Sequence, residues 1–312
     1  MTMGITREEV IETFRRLLDR DPESATVIEN NMAHASVEEA VRHIAMSPEF
    51  LDRFAARLQR RTAHILRPLD EERVIFLHIP KCGGTTLHSI LEAWYGAQMV
   101  HSERHNGLYN VTAASLASKR VFSGHYDFYS VNLVPGTRKL ISFLRPPRDR
   151  LVSLYNFHRA HGPEIIERQN LTLARWANQY DIDDYFRNPE VRAHPAINNA
   201  MAHYLSDHPQ VGPATGVGPD RLRDEALRNL EAFDFIGFQD DYAASLDRLA
   251  RLLGNPAPGS VSRLQDLDTL MTTNSQMRVI EKQRPSDATQ GLMDDLVVED
   301  EKIYRRAKEL FT

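Results

Sequence analysis

Residues 76–91 read FLHIPKCGGTTLHSIL: an apolar β-type run, a proline, a lysine, the chain's single cysteine, two glycines, two threonines and then a helical pattern. No other stretch restricts the fold as much. A strand that turns through glycines straight into a helix leaves the helix's first N–H groups unpaired and pointing outward, an arrangement that suits an anion. Such a unit also calls for a parallel partner strand, because a crossover through a helix returns the chain in the same direction. Further units of this kind follow. RVFSGH (120–125) reads as a short strand. KLISFL (139–144) reads as a buried strand, followed by Pro146, Pro147 and the helical run RDRLVSLYNFHRAH (148–161). FDFIGF (233–238) is a strand, and DDYAASLDRLARLLG (240–254) is a helix ended by Gly254. Strands alternating with helices of this length predict an α/β domain with a parallel sheet covered on both faces. The stretch 160–232 is polar and helical in texture, and 211–220 and 254–260 read as loops.

The texture differs upstream. Residues 1–70 predict a small all-helical module, with the α/β domain running from 71 to 312. Val10, Phe14, Leu17 and Leu18 form one stripe at helical spacing, Ser36 with Glu39 has the form of a capping box, and Pro48 opens a further helix. No residue here carries obvious chemistry, so a helical bundle or docking module is the expectation. A net charge of −5 argues against a general nucleic-acid coat but leaves room for a local basic cleft. One cysteine excludes an intramolecular disulfide framework and a cysteine-rich zinc site. The chain shows neither a signal-peptide core nor an apolar run long enough for a membrane span, so a cytoplasmic location is expected.

The glycine loop is neither of the familiar nucleotide loops. A Walker A motif has its lysine after the glycines and a dinucleotide fingerprint needs a third glycine; here Lys81 comes first. At the strand end, Lys81 is placed to meet the bridging oxygen of a leaving group. Gly83 and Gly84 allow close backbone approach, and Thr85 and Thr86 add hydroxyl donors at the helix start. A second segment, FLRPPRDRLVSLY (143–155), puts Arg145 at a strand end and Ser153 in the helix that follows. A guanidinium fork with a helix hydroxyl suits a phosphate monoester. Two such sites on neighbouring strands imply a ligand with phosphates at both ends.

FLHIPKCGGTT and FLRPPRDRLVSLY together resemble the 5′-phosphosulfate and 3′-phosphate segments of sulfotransferases that use 3′-phosphoadenosine-5′-phosphosulfate (PAPS). The resemblance is to the branch with the heparan and uronyl 2-O-sulfotransferases and their bacterial relatives, over residues 73–311. It implies a P-loop-like α/β fold, PAPS as donor, a saccharide hydroxyl as acceptor, and no metal. By position it makes Lys81 the leaving-group lysine, with Cys82, Gly83, Gly84, Thr85 and Thr86 lining the 5′ end. Arg145 and Ser153 would then hold the 3′-phosphate, and NSQMR (274–278) resembles the loop that closes over the nucleotide, where Ser275 adds a contact. The N-terminal pattern resembles a small helical domain attached to some bacterial carbohydrate-active enzymes.

Two positions depart from the family pattern. Cys82 stands where threonine is common; it invites a nucleophile reading, although no base is apparent beside it. In FSGHYDF, relatives often carry His-Gly-His, and here the first histidine is Ser123. That leaves His125 as the candidate general base, since an imidazole titrates near neutrality. Arg104, His105, His158 and Arg159 are candidates for binding an acidic saccharide, or form a solvated basic rim. Trp94, Tyr126, Tyr129 and Trp176 are candidates for stacking on sugar rings, with core packing the stronger expectation for Trp94. The alternatives are a nucleotide-dependent kinase, which would want magnesium ligands and a lysine after the glycines, and a protein that binds PAP or PAPS without turnover.

Overall fold

The computed structural model describes residues 5–54, 72–208, 217–258 and 267–312. The chain divides into two compact units, Met1–Pro68 and Leu69–Thr312.

In the N-terminal unit, three helices are started by side-chain caps: α1 (Arg7–Leu18) by Thr6, α2 (Ala25–Met32) by Ser24 and α3 (Val37–Ala45) by Ser36. Helical residues follow at 48–54. Thr6 and Glu9 form the full capping box, each satisfying the other's backbone N–H. At Ser36 only half of it forms, because the Glu39 carboxylate accepts from Ala35 N at 2.7 Å. Val10, Phe14 and Leu18 pack with Ile28, Ala40 and Ile44, whereas Leu17 is only partly buried against them. Burial of each large apolar side chain contributes about 1.5–3 kcal/mol, which is how short helices hold together.

The second unit is built on four parallel strands: β1 (Arg73–Leu77), β2 (Val121–Gly124), β3 (Arg138–Leu144) and β4 (Phe235–Phe238), in spatial order β2-β1-β3-β4. All five residues of β1 are buried, so both of its faces are covered, as a run without polar alternation requires. Five helices position the candidate site: α4 (Gly84–Tyr95), α5 (Pro147–Arg159), α6 (Ala200–Leu205), α7 (Tyr242–Leu252) and α8 (Val298–Phe311). Leu87 and Leu91 of α4 and Leu246 and Leu249 of α7 share a core cluster with Val74, Phe76, Val121, Ile141 and Phe143 of the sheet. A second cluster joins Leu151, Leu154 and Tyr155 of α5 to Tyr185, Phe186, Val191 and Met293 from the helices around it. The chain leaves β1 for β2 on one side and then crosses to β3 on the other. The crevice beyond the C-terminal ends of β1 and β3 is therefore a switch point, where open α/β sheets bind ligands. Part of the stretch 211–220 is helical: a helix begins at Pro219, its fixed φ suited to a first turn, and 209–216 lie outside the described residues. Residues 254–258 carry no regular structure beyond the turn at Gly254, and 259–260 are also outside the described set.

Candidate active site

The loop between β1 and α4 is held in an uncommon shape. Lys81 has φ +70° and Gly83 φ +86°, so two left-handed residues flank Cys82, and for a lysine that backbone costs about 1–3 kcal/mol. Both glycines are also required by packing against protein groups. A Cβ on Gly83 would lie 2.8 Å from the Tyr242 ring of α7, whose hydroxyl donates to the Gly83 carbonyl at 2.8 Å. A Cβ on Gly84 would lie 2.0 Å from the His78 ring. The loop is thus clamped between α7 and His78, with the first N–H groups of α4 at its end. Thr86 is buried beside the Tyr242 hydroxyl and Thr85 is half-buried. Cys82 is fully buried and burial pushes its thiol up to about 12, which removes the thiolate that a nucleophile needs.

His125 follows the last residue of β2. Its backbone N–H donates to the Arg104 carbonyl at 2.8 Å, and its Nδ1 lies 2.8 Å from the His78 carbonyl. A carbonyl only accepts, so Nδ1 carries the proton and Nε2 keeps the lone pair. The His78 ring stacks on His125 at 4.3 Å between centroids and on Phe76 at 5.2 Å. Burial is the main cause that pushes His125 down to about 4; the His78 carbonyl opposes it, and His105, Arg104 and Lys81 add to it. His125 is accordingly neutral at pH 7 and able to accept a proton. With Pro80, His105, Asn106 and Tyr204 it lines a cavity of about 250 Å³.

The loop carrying Arg104, His105 and Asn106 is locked onto the strand end. Asp127 accepts from Tyr109 Oη at 2.9 Å, Asn106 Nδ2 at 2.8 Å and Ser130 N at 2.7 Å, and Asn106 Oδ1 accepts from Ser130 Oγ at 2.9 Å. Asn106 itself is left-handed, with φ +58°.

The donor-side candidates gather around Lys81. Its ammonium sits 3.8 Å from the centre of the Phe157 ring on α5, and burial followed by the charge of Arg145 pulls it down to about 8, although part of the side chain still reaches solvent. Arg145, at the end of β3, is half-buried and directs Nη1 at the Lys81 carbonyl, 3.4 Å away. Ser153 lies half-buried on α5, and its hydroxyl makes no hydrogen bond with a described residue. Ser275 is exposed. Its loop is attached to the end of α5, where Gly162 N donates to Gln276 O at 2.9 Å and Arg278 N to Ala160 O at 2.8 Å.

The four acceptor-side candidates do not form one group. Arg104 and His105 belong to the His125 neighbourhood, with the rings of His105 and His125 6.2 Å apart. His158 and Arg159 sit at the C-terminal end of α5. There Arg159 donates to the Glu281 carbonyl at 2.8 Å, and His158 is pushed down to about 3 by burial and by His161, Lys81, His194 and Arg150. The aromatic candidates are occupied elsewhere. Tyr126 and Tyr129 are buried, Tyr126 donating to the Glu103 carbonyl, and Trp94 and Trp176 pack against the two core clusters. Tyr204 and Asn106 line the cavity instead. Neither belongs to a motif, and only the fold brings Tyr204 to His125. Among the described residues, no helix is long and apolar enough to cross a membrane, and no group of three His, Cys, Asp or Glu side chains is arranged to hold a metal ion.

Comparison with known families adds an independent observation. The model described as Sulfotransferase family matches residues 67–311, well over half of the chain. No curated protein matches it.

Proposed function

The chain belongs to the sulfotransferase family, and we propose that it moves a sulfuryl group from PAPS to a saccharide hydroxyl, with His125 as general base and Lys81 stabilising the leaving phosphate oxygen. The observation that carries the base assignment is the His125 Nδ1 to His78 carbonyl hydrogen bond of 2.8 Å in a residue that lines the cavity. It fixes the tautomer with Nε2 free, the form that can take a hydroxyl proton.

The residues present suit PAPS as donor. The left-handed turn at Lys81 and Gly83 opens onto the start of α4, and Lys81 and Arg145 converge there from β1 and β3. Lys81, Gly83, Gly84, Thr85 and Thr86 would hold the 5′ end, and Arg145 with Ser153 the 3′-phosphate; Ser275 would approach from the closing segment. When bound, PAPS supplies the sulfuryl group and a phosphate leaving group. The chain's own residues orient the acceptor and move its proton. His125 Nε2 would take the proton of the acceptor hydroxyl as its oxygen attacks sulfur, and Lys81 would meet the charge left on the departing phosphate oxygen. The ammonium is most effective where charge develops on that oxygen. The Arg104 guanidinium gives the acceptor side a positive charge suited to an acidic saccharide, and the His105 ring adds a hydrogen-bonding edge.

The test is transfer of labelled sulfate from PAPS to a panel of acidic and neutral glycans, together with thermal shifts. PAP should raise the melting temperature far more than ADP, because a ligand bound only by the native state stabilises it by mass action. Arg145→Ala should diminish the PAP shift, and Arg306→Ala, in a surface pair with Glu309, should not. Equal shifts with ADP and PAP, with no sulfate transfer, would overturn the proposal.

A further inference from the structure

We propose that Tyr204 selects a pyranose acceptor at this site, its phenol donating a hydrogen bond to an acceptor oxygen next to the one that takes the sulfuryl group. The inference rests on the sulfuryl-transfer reading above and adds a residue and a specificity to it. Tyr204 shares the walls of the cavity with His125. Its hydroxyl makes no hydrogen bond with any described residue, whereas Tyr109, Tyr126, Tyr155, Tyr242 and Tyr304 donate theirs to protein acceptors, and Tyr185, also unpartnered, is shut inside the core cluster around α5. A hydroxyl on a cavity-lining residue that no protein acceptor holds is free to donate to a ligand oxygen.

The other walls leave few alternatives. Pro80 is apolar, and the Asn106 side chain is already bound at both ends by Asp127 and Ser130. His125 is committed to the reacting hydroxyl and His105 is exposed. Tyr204 is therefore the fixed hydrogen-bond donor of this cavity. A volume of about 250 Å³ is below the roughly 300–1,000 Å³ that takes a drug-sized ligand, so one ring fits and an extended chain must continue outside. An aromatic wall with a hydroxyl suits a sugar ring, which offers C–H groups on its faces and oxygens at its edge.

The backbone that presents Tyr204 is rigid. Asn199 is left-handed at the start of α6, and its Oδ1 accepts from Glu299 N at 2.8 Å and Asp300 N at 3.3 Å. In return Asp300 accepts from Met201 N at 3.1 Å and Ala202 N at 3.0 Å. Each helix start caps the other, which fixes α6 by a contact made about a hundred residues further along the chain.

The experiment measures labelled sulfate transfer by the full chain, wild type, Tyr204→Phe and Tyr204→Ala, to desulfated heparin oligosaccharides and to 4-nitrophenol at saturating PAPS. Tyr204→Phe keeps the ring and the fold and should raise KM for the oligosaccharides about 5- to 30-fold, the loss of one hydrogen bond, with a smaller change in kcat. Tyr204→Ala should raise KM further, and the PAP-induced thermal shift should be unchanged in both. Unchanged KM in both variants overturns the assignment, as does a loss of PAP binding in Tyr204→Phe. Wild-type transfer to 4-nitrophenol but not to the oligosaccharides overturns the pyranose preference alone. A wild type with neither a PAP shift nor transfer overturns the sulfuryl-transfer reading itself, and this inference with it.

Discussion

The pH profile of kcat/KM tests the proposed roles of His125 and Lys81 together. A histidine at its ordinary pKa of about 6.5 would be only about one-quarter unprotonated at pH 6. Burial and the positive groups around it push His125 down to about 4, so at pH 6 about 99% of it can act as a base. Lys81 at about 8 is roughly 90% charged at pH 7 and roughly 10% charged at pH 9. The free enzyme should therefore show a broad plateau with limbs near 4 and 8. Donor phosphates favour the charged form of both groups, so both limbs should move upward in the profile of kcat. Lys81→Arg removes the alkaline limb, because a guanidinium does not titrate in this range. Initial rates of sulfate transfer across pH 4–9 provide the assay, with the melting temperature followed at each pH so that acid unfolding is not mistaken for titration. An acid limb near 6.5 in a folded protein would refute the environment assigned to His125. An alkaline limb that persists in Lys81→Arg would refute the role of the lysine.

His125→Ala should lower kcat by about 10²–10⁴-fold while leaving PAP affinity nearly unchanged; Lys81→Ala should lower both, and PAP titrations of the two variants separate the roles. Gly84→Ala should cost about 1–3 kcal/mol by driving a methyl group into the His78 ring, and His78→Ala in the same chain should recover most of that loss in denaturant melts. His78, His125 and His158 all have folded pKa values below the unfolded value of about 6.5. Their contribution is fully present above that pH and is lost as pH falls toward about 4 for His125 and about 3 for His158, because the unfolded chain binds the protons. Asp300, raised to about 6 by burial, acts in the opposite direction, its stability contribution growing as pH falls from 6 to 4. His88, His101, His161, His194 and His203 are lowered as well, and Glu301 is the other carboxyl that burial raises; with histidines in the majority, melting temperature should fall below pH 6.5, and Asp300→Asn should steepen the fall.

The parallel sheet and the glycine loop were legible because both are local. Apolar runs at β1, β3 and β4, each close to a helical pattern, leave little choice of architecture, and Gly83 beside Lys81 announces a strained turn. The reasons for the glycines were not legible. Gly83 answers to Tyr242, and Gly84 to His78, whose ring direction the run FLHIP does not reveal. The same limit governs the acceptor side. Tyr204 stands in a polar helical stretch without a motif, and reaches His125 only because Asp300 and Asn199 tie α6 to α8. Tyr126 and Tyr129 closely follow His125 in sequence, which makes them candidates for sugar platforms, yet the locked 103–110 segment uses that part of the chain for packing: Tyr126 donates to Glu103 O, and the Tyr109 ring stacks on Tyr129. Sequence proximity to a catalytic candidate is a poor guide where the wall of a cavity comes from another segment.

Ser123 illustrates how a departure from a family pattern is weighed physically. In β2 successive side chains alternate between faces, so Ser123 shares the face of Val121, which packs in the cluster with α4 and α7. Its Oγ lies 2.9 Å from His88 Nδ1 of α4, and the residue is fully buried. A histidine at 123 would therefore meet α4 and not the cavity. An imidazole already stands against that position, that of His88, itself 3.4 Å from Glu92. His125 is placed differently: it lies just beyond the last strand residue, where the backbone leaves the sheet, and its ring is aimed by the His78 carbonyl and not by the pleat. The two positions of a His-Gly-His pattern thus do unlike work on this backbone, one bracing the strand against a helix and the other standing at the cavity wall. A serine that hydrogen-bonds His88 can do the first job, and so its presence takes nothing from the case for His125 as a lone base.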